Sequence, residues 1–151
     1  MYDLGASSAV IATNQLDDID GYGLWISARP SEWYIAPEVG FIGSKETNGA
    51  LGKIRFSEFF AGGRVIAELP FTPLSLIAGA GISSVDGEIY AVDVAESGVY
   101  FHGGALLHMG DNAHLALDYR NVGFSNDITV DSLGNTADSM DVISVMLGFN
   151  W

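Results

Sequence analysis

Cysteine is absent from all 151 residues, which excludes disulfides, zinc–thiolate sites and thiol nucleophiles at the outset. Basic residues are scarce: six Lys+Arg stand against 19 Asp+Glu, a formal net charge of -13. That balance excludes a nucleic-acid-binding surface. Long apolar runs are missing too. The most apolar stretch, residues 74–82, is broken by Ser75, Gly79 and Gly81, far short of the ~18 apolar residues that a transmembrane helix needs. No leader is visible, because Met1 is followed at once by Tyr2, Asp3 and Leu4. The chain is expected to be a mature exported form in which Met1 replaces a removed leader.

What is present looks contradictory in a soluble domain. The chain has the length of one domain, is 48% hydrophobic with a mean hydropathy of +0.26, and still carries its large negative charge. Highly charged soluble chains are usually poor in apolar residues. A membrane barrel reconciles the two, with apolar residues in a belt and charges collected at the ends. Glycine, at 19 residues, is well above its usual share of ~7%. In strands it marks curvature or close side-chain packing.

Period-two alternation runs through nearly the whole chain and predicts strands at 2–12, 22–30, 33–44, 55–69, 74–83, 98–109, 113–124 and 142–151. The connections alternate in length. Short ones fall near 30–32, 70–73 and 110–112; long ones span 13–21, 45–54, 84–97 and 125–141. Short turns on one side and long loops on the other are the layout of a bacterial outer-membrane barrel. The expected fold is therefore all-β, one eight-stranded antiparallel up-and-down transmembrane barrel spanning 1–151.

The two faces of each strand differ in kind. Val142, Ser144, Met146 and Gly148 alternate with Ile143, Val145, Leu147 and Phe149 in the last strand, and charges elsewhere gather on one parity. A lipid-facing Arg or Lys at mid-bilayer costs about 2–4 kcal/mol, so the charged parity belongs to the lumen. The lumen set is expected to comprise Arg29, Glu38, Glu58, Arg64, Glu68, Asp118 and Arg120, with Glu38–Arg64 as a cross-strand pair. The histidines, His102, His108 and His114, fall on the same inward parity. They read as packed, hydrogen-bonded lumen residues; Asp111 is the one further ligand near His108 and His114, so no metal is expected. Aromatics near strand ends (Tyr2, Tyr22, Trp33, Phe71, Phe124, Phe149 and Trp151) suit the two bilayer interfaces.

The closing segment, Val142 to Trp151, alternates and ends on an aromatic residue. It resembles the insertion signal of outer-membrane barrels, and the chain as a whole resembles the membrane domain of the OmpA-like eight-stranded family. The resemblance implies residence in the outer membrane of a Gram-negative bacterium, among outer-membrane lipid and lipopolysaccharide. It also implies that Phe149 and Trp151 are read by the barrel-assembly machinery during insertion. The chain stops at Trp151 without the peptidoglycan-binding domain of larger members, so a cell-wall tether is not expected. The stretch Asp118-Tyr119-Arg120-Asn121 is loosely similar to the part of the lipid A deacylase that carries a His-x-Ser pair. Here those positions hold Asp118 and Arg120, so neither base nor nucleophile carries over.

The expected role is structural and surface-interacting, with a filled polar lumen, acidic extracellular loops and an unidentified surface ligand. No enzymatic activity, catalytic residue or cofactor is expected. The acidic loop residues (Asp17, Asp18 and Asp20; Asp86, Glu88, Asp93 and Glu96; Asp127, Asp131, Asp138 and Asp141) read as solvated charge, with weak divalent-cation bridging to lipopolysaccharide as the alternative. Alternatives for the whole protein are a narrow gated ion pore or a lipid A-modifying enzyme. At the level of fold the alternative is a soluble lipocalin-like ligand-binding barrel with its apolar face turned inward. The membrane reading predicts that the purified chain needs detergent and runs faster on SDS gels unheated than boiled. Equal mobility of the two samples contradicts a closed membrane barrel.

Overall fold

The computed structural model describes residues 2–13, 16–28, 33–44, 47–49, 52–89, 92–110, 113–129 and 136–150, with side chains described for 21–28, 33–43, 55–88, 93–110, 113–127 and 137–149. Its elements are β1 (Tyr2–Thr13), β2 (Leu16–Ala28), β3 (Ile35–Ser44), β4 (Thr47–Gly49), β5 (Gly52–Glu68), β6 (Leu74–Ile89), β7 (Val92–His108), β8 (Ala113–Thr129) and β9 (Thr136–Asn150). The sheet order is β3-β2-β1-β9-β8-β7-β6-β5-β4, and β3 also pairs with β5. The ring is therefore closed. β4 continues β3 along the same partner: Gly43 lies opposite Ser57 and Thr47 opposite Ile54, a slip of one residue. The result is an eight-stranded antiparallel up-and-down barrel, the architecture expected from the alternation.

Side-chain parity decides the rest. On β9, Val142, Ser144, Met146 and Gly148 are buried while Ile143, Val145, Leu147 and Phe149 are exposed. On β6, Leu74, Leu76 and Ile82 point out while Ser75, Ile77, Ser83 and Val85 are buried. This is the reverse of a lipocalin-like barrel, whose apolar side chains fill the interior and whose exterior is polar. From Leu74 to Ile82 the outward face of β6 is apolar; eight steps of ~3.4 Å along a strand tilted by ~40° give a band on the order of 20 Å. Beyond it come Ser84, Asp86 and Glu88, all exposed.

The long connections are not loops for most of their length. The pattern placed one at 84–97, yet β6 runs to Ile89 and β7 begins at Val92. The alternation has not stopped there: Val85 and Val94 stay buried while Asp86, Glu88 and Asp93 replace apolar residues outside. The band ends and the hairpin goes on, so acidic residues that read as loop signals mark the solvent-exposed half of a strand. A second departure concerns Phe124. It packs against the interior cluster because it shares parity with Asp118, Arg120 and Val122, whereas Tyr22, Trp33, Phe71 and Phe149 are exposed. The side chains of Tyr2 and Trp151 lie outside the described residues.

The turn between β5 and β6 is tight. Thr72 N–H donates to Leu69 O at 3.3 Å and Leu69 N–H to Leu74 O at 3.0 Å. With Pro70 first and Phe71 at φ 63° second, this is a type II turn in a form that favours Gly or Asn at the second central position. A non-glycine residue in the left-handed region costs roughly 1–2 kcal/mol, and Asn tolerates it best. Phe71→Asn is thus expected to raise stability by about 1 kcal/mol in urea titrations of the refolded barrel; unchanged or lower stability would show that the exposed ring compensates for its backbone.

Candidate functional site: the charged bore

Small residues make room for large ones across the interior. Gly40 pairs with Phe60, Gly79 with His102, Gly81 with Tyr100 and Gly148 with His114. A Cβ at Gly40 would meet the Phe60 ring, at Gly79 the His102 ring, and at Gly148 the His114 ring. Each of these four bulky side chains thus lies over a cross-strand glycine, the small/large alternation that fills a narrow barrel.

Within the space so cleared, four strands bring their charges together. His102 on β7 presents Nδ1 to Asp118 Oδ1 at 2.7 Å and Nε2 to Glu38 Oε1 at 3.1 Å. Tyr100 Oη donates to the same Glu38 oxygen at 2.7 Å. Arg64 Nε lies 4.0 Å from Glu38 Oε2, and Arg64 Nη2 donates to Ser27 Oγ at 2.6 Å. Beside this group, Arg120 Nη1 contacts Glu58 Oε1 at 3.5 Å, Ser83 Oγ donates to that oxygen at 2.8 Å, and the guanidinium carbon stacks 3.5 Å from the centre of the Phe60 ring. All six ionisable residues, Glu38, Glu58, Arg64, His102, Asp118 and Arg120, are buried.

The charge count follows from the geometry. Both ring nitrogens of His102 lie within ion-pair distance of carboxylate oxygens, and Nδ1 is hydrogen-bonded to Asp118, surroundings that suit an imidazolium. Counting His102 as a cation, Arg64, Arg120 and His102 balance Glu38, Glu58 and Asp118. Neutrality matters here because an unpaired buried charge costs several kcal/mol. The void beside the cluster, bordered by Trp25, Glu38, Arg64, His102, Asp118 and Arg120, has a volume of about 20 Å³. That holds one water and is too small for a hydrated ion.

The other residues singled out from the sequence lie elsewhere. His114 is buried over Gly148, and its ring centre is 6.4 Å from that of half-buried His108. Ser75 Oγ is 2.8 Å from His108 Nε2, so these two histidines belong to the end with the short turns and not to the central cluster. Glu68 is exposed at that same end. Arg29, Asp111 and Trp151 lie outside the described residues. No group of three or more His, Cys, Asp or Glu among the described residues is placed to hold a metal. Sequence reasoning paired Glu38 with Arg64 but missed His102 as the bridge between Glu38 and Asp118, and Tyr100 altogether. A shared inward parity was the only signal available, and it does not report the level of a residue along its strand.

An apolar exterior, a closed eight-stranded ring and an ionic interior define a transmembrane β-barrel, a fold shared with small outer-membrane proteins. Solved structures of that kind are similar to this chain. The N-terminal β-barrel domain of Pseudomonas aeruginosa OprF is 8% identical, with a TM-score of 0.69 over 99% of this chain and 97% of that one. Neisserial surface protein A is 13% identical, with a TM-score of 0.63 over 99% and 96%. The outer membrane enzyme PagL is 16% identical, with a TM-score of 0.57 over 97% and 99%. At such identities the likeness is one of fold. No protein-family model matches the sequence, and no curated relative matches it either.

Two substitutions probe the cluster. Arg64→Ala removes one of three cations from a cluster balanced by three carboxylates and is expected to cost about 3–5 kcal/mol. Gly79→Ala, which removes no charge, is expected to cost about 1–3 kcal/mol by forcing the His102 ring from its place. Urea unfolding in detergent measures both, and a Gly79→Ala barrel as stable as the parent would show that the ring has room to spare.

Proposed function

We propose that this chain is a small OmpA-like integral barrel of the bacterial outer membrane, inserted by the barrel-assembly machinery and surrounded by outer-membrane lipid and lipopolysaccharide. Its role is structural and surface-interacting: it anchors itself by its outer wall and holds acidic hairpins beyond the bilayer for a partner yet to be identified. The observation that carries this reading is the pairing of an apolar exterior with a bore closed by neutralised charge. An anchor needs a wall that lipid accepts and an interior that does not leak, and both are supported by the burial pattern. The acidic residues Asp86, Glu88, Asp93, Asp127 and Asp138 are exposed on the same side of the band, and they suit a surface that repels anions and meets basic or cation-bridged partners.

The similarity to an outer-membrane enzyme does not favour catalysis here. Asp118 and Arg120, in the stretch loosely similar to the deacylase pattern, are buried in ion pairs with His102 and Glu58. The protein is read as a non-enzyme, and lipid A from cells that express it is expected to be unaltered.

Planar-bilayer recording tests the filled bore. The parent barrel is expected to give no steady conductance, because the central void admits one water. Steady channels that Glu38→Ala or Arg64→Ala abolish would favour a gated pore and contradict the anchor.

A further inference from the structure

The outward wall is forked at one place. β7 and β8 pair upward only as far as Gly98 opposite Phe124, whereas β6 and β7 stay paired up to Ile89 opposite Val92. Beside this fork, over the outer face of β5, β6 and β7, lies a recess of about 400 Å³ bordered by Phe59, Ile82, Ser84, Ser97 and Val99, with Ser125 of β8 at its edge. Three serine hydroxyls border it.

Phe59 lies opposite Ser84, and Ser84 opposite Ser97. Ser125, one residue past the last β7–β8 pair, borders the same recess from across the fork. Ser84, Ser97 and Ser125 are all exposed, the first two on paired strands ~5 Å apart. Just inside the bilayer from these hydroxyls stand Ile82 and Val99, which pair with each other, and Phe59 forms one wall. Just outside them the polar half of the hairpins begins. Two outward positions beyond Phe59 on β5 is Arg55, which is exposed.

The hydroxyls therefore sit where acyl chain gives way to headgroup, at the end of the barrel that carries the long hairpins. The recess is continuous with the lipid-facing band, so its occupant is a membrane lipid. Its donors select among lipids. A phospholipid offers two ester carbonyls on adjacent glycerol carbons, too close together to reach all three. A glycolipid with several amide- and ester-linked chains spreads its carbonyls over a disaccharide and also carries a phosphate for a nearby guanidinium.

We propose that the recess beside the β7–β8 fork binds one glycolipid of lipid A type. One saturated chain lies against Phe59, Ile82 and Val99, acyl carbonyls accept from Ser84, Ser97 and Ser125, and a phosphate reaches Arg55. The site rests on the reading of this end of the barrel as the one in the outer leaflet.

The experiment is native mass spectrometry of the refolded full chain, released from detergent micelles with lipid A and phosphatidylethanolamine at equal concentration. One lipid A retained per barrel is expected, with retention reduced at least tenfold in the Ser84→Ala/Ser97→Ala/Ser125→Ala triple variant. Ser97→Leu, which fills the recess with a side chain the membrane tolerates, is expected to give the same loss and serves if the triple variant does not refold. Heat-modifiable mobility reports folding separately. A folded parent that retains neither lipid, retains both equally or prefers phosphatidylethanolamine overturns the glycolipid site and leaves the membrane barrel standing. So does retention unchanged in a folded Ser97→Leu barrel. A parent with no heat-modifiable form overturns the barrel itself.

Discussion

The contact of His102 with two carboxylates, Asp118 at 2.7 Å and Glu38 at 3.1 Å, ties the interior of this barrel together. An eight-stranded barrel is only wide enough for its side chains to fill it, so every charge placed inside must find its opposite within reach. Glu38 meets Arg64, His102 and Tyr100; Asp118 meets His102; Glu58 meets Arg120 and Ser83. Removing one of the charged partners unbalances the set in a medium where that costs more than the pair contributes. The interior is thus held as a unit.

That unit imposes the glycines. His102, Tyr100, Phe60 and His114 each occupy space that a cross-strand Cβ would take, and the chain answers with Gly79, Gly81, Gly40 and Gly148. It also imposes the exterior. Once the polar parity is spent on the bore, the other parity of every strand is free to be apolar, and Ile143, Val145, Leu147 and Phe149 are exposed as a consequence. Charge and hydrophobicity that sit awkwardly together in one soluble domain are separated here by a single β-strand's thickness. Lipid then supplies the environment that the outer wall requires.

Alternation made the architecture legible. Reading Val142 to Phe149 with a period of two assigns each residue to a face, and the alternating short and long connections give the strand count. Parity also separated Glu38, Arg64, Asp118 and Arg120 from the lipid-facing set. Two things were not legible because parity fixes the face but not the height, and two more were misread on other grounds. The meeting of His102 with Glu38 depends on the register of β5, β6 and β7, which no local pattern encodes. The glycine partners of the large side chains depend on the same registers. Asp86, Glu88 and Asp93 read as loop because acidic residues are rare in membrane strands, yet a strand that leaves the bilayer is free to carry them. Phe124 was misplaced by weighting its aromatic character over its parity.

The central claim is that the apolar parity faces lipid and the ionic parity faces the bore. The chain has no cysteine, so single-cysteine variants labelled with a small fluorophore at successive positions of β9 test it directly, with brominated lipids as quencher in reconstituted vesicles. Strong quenching at Ile143, Val145 and Leu147 with little at Val142, Ser144 and Met146 is the expected result. Quenching at the second set, or none at the first, would contradict it.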